Sequence, residues 1–115
     1  MTQGLMTGQV AMITGAGSGI GRAAALKFAA AGARVVLGDV TGAEDETAEM
    51  VRAAGGQAAS LRMDAGQEPD VIAGIDLAQR EFGRLDAVSA NAGITGTTGG
   101  REFLEHTPEI GRAHV

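Results

Sequence analysis

Residues 9–22 read QVAMITGAGSGIGR, and this stretch decides the fold. Val10, Ala11, Met12 and Ile13 form a short apolar run that predicts a buried strand. Three glycines follow, Gly15, Gly19 and Gly21, and then an Ala-rich helical pattern over residues 20–31. A glycine turn between a strand and a helix has a mechanical reading. Gly15 permits a tight turn off the strand. Gly19 lets the backbone approach a phosphate, and Gly21 lets the helix pack close to the sheet. The helix N-terminus then offers unpaired N–H groups and a partial positive charge to an anion.

Downstream, the pattern alternates. Gly32 closes the first helix. Residues 34–39, RVVLGD, form a continuous apolar run suited to a parallel strand covered on both faces. Asp39 ends that run about 20 residues after Gly19, where a dinucleotide fold places the acid that holds the adenosine ribose. Residues 41–54 predict a helix with Thr47, Met50, Val51 and Ala54 on one face, stopped by Gly55 and Gly56. Residues 57–63 are a less apolar strand, expected near a sheet edge, with Asp64 and Ala65 at its C-terminal end. Residues 67–82 predict a helix with Pro69 near its start and Val71, Ile75, Ala78 and Phe82 on its buried face. Gly83 closes it. Residues 86–90 are a fourth strand, ending in Asn91, Ala92 and Gly93. A Gly/Thr loop over 94–100 and the start of a further helix over 102–106 complete the pattern. Residues 1–8 are expected to be a ragged lead-in, with Met6 an alternative start. The order β-α-β-α-β-α-β predicts an α/β fold, a doubly wound parallel sheet with right-handed crossovers.

Composition narrows the function. At 115 residues the chain holds one domain at most. The net charge is −5 and no basic cluster occurs, which argues against nucleic acid or an anionic membrane surface as partner. With no Cys there is no disulfide framework and no thiolate metal site. His106 and His114 lack a metal-ligand spacing, so no metal is expected. No apolar run approaches the ~18 residues of a membrane span, and the N-terminus lacks the basic and apolar regions of a signal peptide. A cytoplasmic protein is the default expectation.

The glycine pattern over residues 14–21, TGxxxGIG, resembles the cofactor loop of the short-chain dehydrogenase/reductase family. Asp39, Asp64 and the Asn91-Ala92-Gly93 triplet at successive strand ends extend the resemblance over about residues 8–108. It implies a Rossmann-type sheet with strand order 3-2-1-4 and a cofactor lying across the C-terminal strand ends. By the same resemblance Gly15, Ser18, Gly19 and Ile20 line the pyrophosphate. Asp39 takes the ribose hydroxyls, Asp64 meets the adenine amino group with the Ala65 backbone beside it, and Asn91, Ala92 and Gly93 shape the end of strand four. Structural alternatives stand beside these roles. Ser18 could be a plain loop serine, Asp39 a solvated charge, Asp64 a helix cap or turn former, and Asn91 a tie within the sheet.

Asp39 also separates the cofactors. A carboxylate accepts charge-assisted hydrogen bonds from both ribose hydroxyls, about 1.5–3 kcal/mol each. A 2′-phosphate there meets like charge. No Arg or Lys follows Asp39 in the chain, and Ser18 rather than a basic residue precedes Gly19, so NAD(H) is expected over NADP(H).

The family's chemistry is hydride transfer between NAD(H) and an alcohol or carbonyl substrate, with a YxxxK Tyr as acid/base and a Ser that positions the substrate. None of this can be placed. The chain has no Tyr, its one Lys is Lys27 in the first helix, and Ser89 precedes the Asn-Ala-Gly motif instead of following it. No catalytic residue is therefore assigned. Residues 107–109 look like the start of the family's next helix, but 110–115 read IGRAHV. Back-translated, residues 109–115 can be written as a string resembling a common sequencing-library adapter. The expectation is a native half-domain over 1–108 and a non-native tail over 109–115, against a genuinely divergent tail as the alternative. A chain so truncated leaves strand four an open edge, and is expected to be poorly soluble or partly molten, and inactive. The resemblance implies a homo-oligomer for the full-length parent. Two other readings stay open: a non-catalytic dinucleotide-binding module, and a different Rossmann-type protein such as a methyltransferase, against which the glycine spacing speaks.

Overall fold

The computed structural model describes residues 4–91. Seven elements alternate: β1 (Val10–Thr14), α1 (Gly19–Ala30), β2 (Arg34–Asp39), α2 (Glu44–Ala53), β3 (Ala58–Arg62), α3 (Glu68–Phe82) and β4 (Ala87–Ala90). The strands form one parallel sheet in the order β3-β2-β1-β4. The expected α/β class and strand order therefore hold. Met12 sits at the centre, in register with Val36 on one side and Val88 on the other. The less apolar β3 lies at one edge, and β4 lies at the other among the described residues. Ala92, Gly93, the loop over 94–100, the helix start over 102–106 and the tail over 109–115 lie outside the described residues.

Every residue of β1 is buried, because helices cover both faces of the sheet. Side chains alternate between two cores. Val10, Met12 and Val36 point to α3, where they meet Met63, Val71, Ile75 and Ala78. Ile13, Val35 and Leu37 point to α1 and α2, where they meet Ala25, Ala48 and Val51.

The structure corrects three local expectations. The buried face of α2 is Glu44, Thr47, Ala48 and Val51, while Met50 and Ala54 face solvent. Apolarity pointed to Met50, but the stripe is set by where the helix starts, and Thr47 is buried because its hydroxyl has partners. Phe82 is only half-buried, with the Arg34 guanidinium 5.3 Å from its ring centroid. From Gly4 onward the lead-in is a hydrogen-bonded turn, not a ragged one. The Met6 N–H donates to the Ala31 carbonyl at 2.7 Å, and the Met6 side chain packs on the α1–α2 core.

β4 is held to β1 at both ends. At the N-terminal end the Val10 N–H donates to Asp86 Oδ2, and the Asp86 N–H donates to the Val10 carbonyl, each at 2.8 Å. Arg84 forks onto the same carboxylate, Nε at 2.9 Å and Nη2 at 2.7 Å. Those Arg84 hydrogen bonds hold the Asp86 carboxyl below its ordinary value, against partial desolvation. At the other end the Asn91 N–H donates to Thr14 Oγ1 at 3.1 Å. Among the described residues no helix is long and apolar enough to cross a membrane, and no acidic or histidine cluster could hold a metal.

Candidate functional site

The glycine turn joins β1 to α1 through two positive-φ glycines, Gly15 (66°) and Gly19 (56°). A Cβ on Gly21 would overlap the Gly15 carbonyl, so only glycine lets the first turn of α1 close on the loop. Three anchors fix the loop from below. The Ala16 N–H donates to the Gly38 carbonyl at 3.0 Å. The Ala16 carbonyl accepts the Thr47 hydroxyl at 2.7 Å. The Gly17 N–H donates to Asp39 Oδ2 at 2.8 Å. Thr47 in turn accepts Arg22 Nε at 3.0 Å, and Arg22 Nη2 pairs with Glu46 at 2.6 Å. Thus α2, through Thr47, and β2, through Asp39, both position the turn.

Gly17 has no place in the TGxxxGIG spacing, yet it is a structural requirement. A Cβ there would lie 2.7 Å from Asp39 Oδ2 and 2.8 Å from the Ala43 Cβ. Thr47 was legible only as a buried position, and its hydroxyl role depends on the fold.

At the C-terminal ends of the strands a cleft of ≈ 340 Å³ opens above this turn. Gly15, Ser18, Ile20, Asp39, Asp64 and Asn91 line it, from four segments of the chain. Gly21 and Val40 complete the lining. Gly19 lies between Ser18 and Ile20 as the first residue of α1. Ala65 follows Asp64 without lining the cleft.

Ser18 is the N-cap residue of α1, in an extended conformation, and its hydroxyl makes no capping bond. The first helical hydrogen bond here is from Arg22 N–H to the Ser18 carbonyl, at 3.2 Å. The N–H groups of Gly19, Ile20 and Gly21 therefore have no intrahelical acceptor. The first turn of α1 carries no acid, whereas α2 opens with Glu44, Asp45 and Glu46. Of the two, α1 is the helix whose positive end is left for an external anion. Ile20 and Val40 are 78% and 55% exposed, which gives the cleft two apolar walls.

Asp39 is buried at the floor of the cleft. Beyond the Gly17 N–H on Oδ2, its Oδ1 accepts the Thr41 N–H at 3.2 Å and the Thr41 hydroxyl at 3.3 Å. A carboxylate has about four acceptor sites. One remains, on Oδ2, and a second opens if the Thr41 hydroxyl rotates away. Asp64 is exposed; its Oδ1 accepts the Gly66 N–H at 2.9 Å, and its own N–H donates to Asp70 Oδ2 at 2.9 Å. It forms the turn into α3 as well as lining the cleft. The Asn91 amide is turned onto Ser89 Oγ, at 2.9 Å.

The family profile described as short chain dehydrogenase matches residues 9–110. The chain belongs to the short-chain dehydrogenase family. Over 86 residues it is 49% identical to the cis-4-hydroxycyclohexanecarboxylate dehydrogenase of Sinomonas cyclohexanicum, covering 75% of this chain and 34% of that protein. The crystal structure of a hydroxysteroid dehydrogenase from Escherichia coli superimposes with a TM-score of 0.75 at 38% identity, covering 80% of this chain and 39% of the other. A short-chain dehydrogenase/reductase from Burkholderia phymatum, in complex with NAD, superimposes with a TM-score of 0.70 at 42% identity, covering 73% and 30%. The chain thus spans about a third of the length of the curated relatives it matches.

Proposed function

We propose that residues 1–108 form the NAD-binding part of an oxidoreductase acting on a small alcohol or ketone. One observation carries this reading: the open N-terminus of α1 and a buried carboxylate with a remaining acceptor site face the same cleft. The residues fit a dinucleotide. The N–H groups of Gly19, Ile20 and Gly21 suit the pyrophosphate, with the Ser18 hydroxyl beside them. Asp39 Oδ2 accepts a ribose hydroxyl, and Oδ1 accepts a second when Thr41 rotates. Ile20 and Val40 supply apolar contact. The NAD bound to the Burkholderia phymatum relative supports the choice of cofactor class. Asp39 favours NAD over NADP by like-charge repulsion of a 2′-phosphate.

When bound, the nicotinamide supplies hydride exchange with a carbinol or carbonyl carbon. The 115 residues contribute binding and orientation, because the chain has no Tyr to move the accompanying proton. A second reading is a dinucleotide-binding module without catalysis. Sequencing independent source DNA beyond codon 108 separates them: a frame that continues into a YxxxK motif supports the oxidoreductase, and a stop after Val115 supports the module.

Calorimetric titration with NAD and NADP tests the cofactor assignment. NAD is expected to bind more tightly, and Asp39→Ala to weaken NAD by about tenfold or more, the equivalent of one charge-assisted hydrogen bond. Equal affinities for the two cofactors in the wild type would overturn it.

A further inference from the structure

The chain offers no cation directly after Asp39, but the sheet supplies one from elsewhere. Arg62 is the register partner of Asp39 across β2 and β3. Paired residues of adjacent parallel strands project to the same face of the sheet. The Arg62 guanidinium reaches over the turn after β2, since a Cβ on Gly42 would lie 2.8 Å from its Nη2. Its side chain is 69% exposed, so what a solute meets at this turn depends on how far a neighbouring carboxylate offsets that charge.

Beside it stands Glu44, only 2% exposed at the start of α2. Glu44 Oε2 lies 3.9 Å from Arg62 Nε, and Oε1 has no hydrogen-bond partner. Burying a carboxylate with one oxygen unmatched is unfavourable. As the first residue of α2, Glu44 also faces the positive end of that helix. Among the described residues its side chain has one ion-pair partner, the Arg62 guanidinium.

Building on the NAD-binding reading above, we infer that Glu44 is a specificity-determining residue: it holds Arg62 over Gly42 and offsets its charge. A 2′-phosphate arriving beside Asp39 then finds no free cation, whereas an unphosphorylated ribose needs none. Selection between the two dinucleotide classes thus rests on two carboxylates and one masked guanidinium. Asp39 repels the phosphate directly, and Glu44 withholds Arg62 from it.

The test is fluorescence titration of the full 115-residue chain with NADH and NADPH, for wild type, Glu44→Gln, Arg62→Ala and the double variant. Glu44→Gln is expected to tighten NADPH about fivefold and leave NADH within about twofold, the scale of one partly exposed ion pair. The double variant returns NADPH to about the wild-type affinity. Arg62→Ala alone weakens NADPH about threefold relative to NADH, because it leaves Glu44 uncompensated. An unchanged NADPH affinity in Glu44→Gln, or a gain that survives removal of Arg62, overturns the inference. If Glu44→Gln fails to fold by circular dichroism, the exposed Arg62→Ala decides alone, and an unchanged NADPH-to-NADH ratio overturns it. A wild type that binds neither nucleotide overturns the cofactor reading and this inference together. A wild type that binds NADH, with no variant altering the ratio, overturns only this inference.

Discussion

Gly21 and Gly74 are both buried helix glycines, on opposite faces of one sheet, and they tolerate change very differently. Gly21, in α1, abuts backbone: its absent Cβ would overlap the Gly15 carbonyl. Gly74, in α3, abuts the ends of two flexible side chains, Met12 Sδ and Met63 Cε, each 2.7 Å from a built Cβ. The α1–α2 face is fixed by backbone approach and by the Arg22–Thr47–Ala16 chain of hydrogen bonds. The α3 face is filled by methionines and aliphatics that can repack. Rigidity is concentrated where the cleft needs a fixed turn, and adaptable packing lies on the other side.

Four substitutions test that contrast against the wild-type thermal melt. A cooperative wild-type melt would also retire the expectation of a partly molten chain. The largest loss is expected for Gly21→Ala, about 3 kcal/mol or more, because the Gly15 backbone cannot move without dismantling the loop. A Gly21→Ala melt close to wild type would break the comparison. Thr47→Val keeps the shape but removes a buried hydroxyl that both donates and accepts, leaving the Ala16 carbonyl unpaired. It should cost about 1–3 kcal/mol in urea unfolding and weaken NAD as well. A variant that loses stability but keeps full NAD affinity would separate the network from the site.

Asp86→Asn probes the far end of β1, away from the cleft. The folded carboxyl titrates below its ordinary value of 3.8, with Arg84 as the main cause. Its contribution is therefore fully present above that value and is lost as pH falls through the folded pKa. The stability gap between wild type and Asp86→Asn should be open at neutral pH and close on acidification, with NAD affinity unchanged. A gap independent of pH would contradict this. The smallest effect is expected for Gly74→Ala. The gain in helix propensity, about 1 kcal/mol, offsets the displacement of two methionine termini. A melting temperature within a few degrees of wild type is expected, and a collapse would show that the α3 face is as rigid as the other.

Much of this was legible from residue order. Each element expected within the described residues formed, with bounds shifted by a few residues at the ends. The strand-end positions Asp39, Asp64 and Asn91 share one cleft with the glycine turn. Periodicity and glycine spacing are local properties, so a linear reading finds them. Other features were hidden for a physical reason. Met50 looked like the inner face of α2 because it is apolar, yet burial went to Thr47 and Glu44, whose partners lie on distant segments. Gly17 reads as a filler residue until Asp39 and Ala43 are seen to close on it.

The order of apolar runs and glycines by itself determined a parallel α/β sheet and the turn at its centre, while the strand order followed from the family resemblance those motifs carry. Local backbone geometry and the handedness of crossovers leave few other arrangements. Only the tertiary structure decided that Asp39 arrives with three acceptor sites already used, that Thr47 braces the turn, and that Arg62 stands over Gly42 beside a buried Glu44. Those relations join residues from 2 to 31 positions apart along the chain, on different elements or turns. They are set by strand register and helix placement, which no single segment encodes.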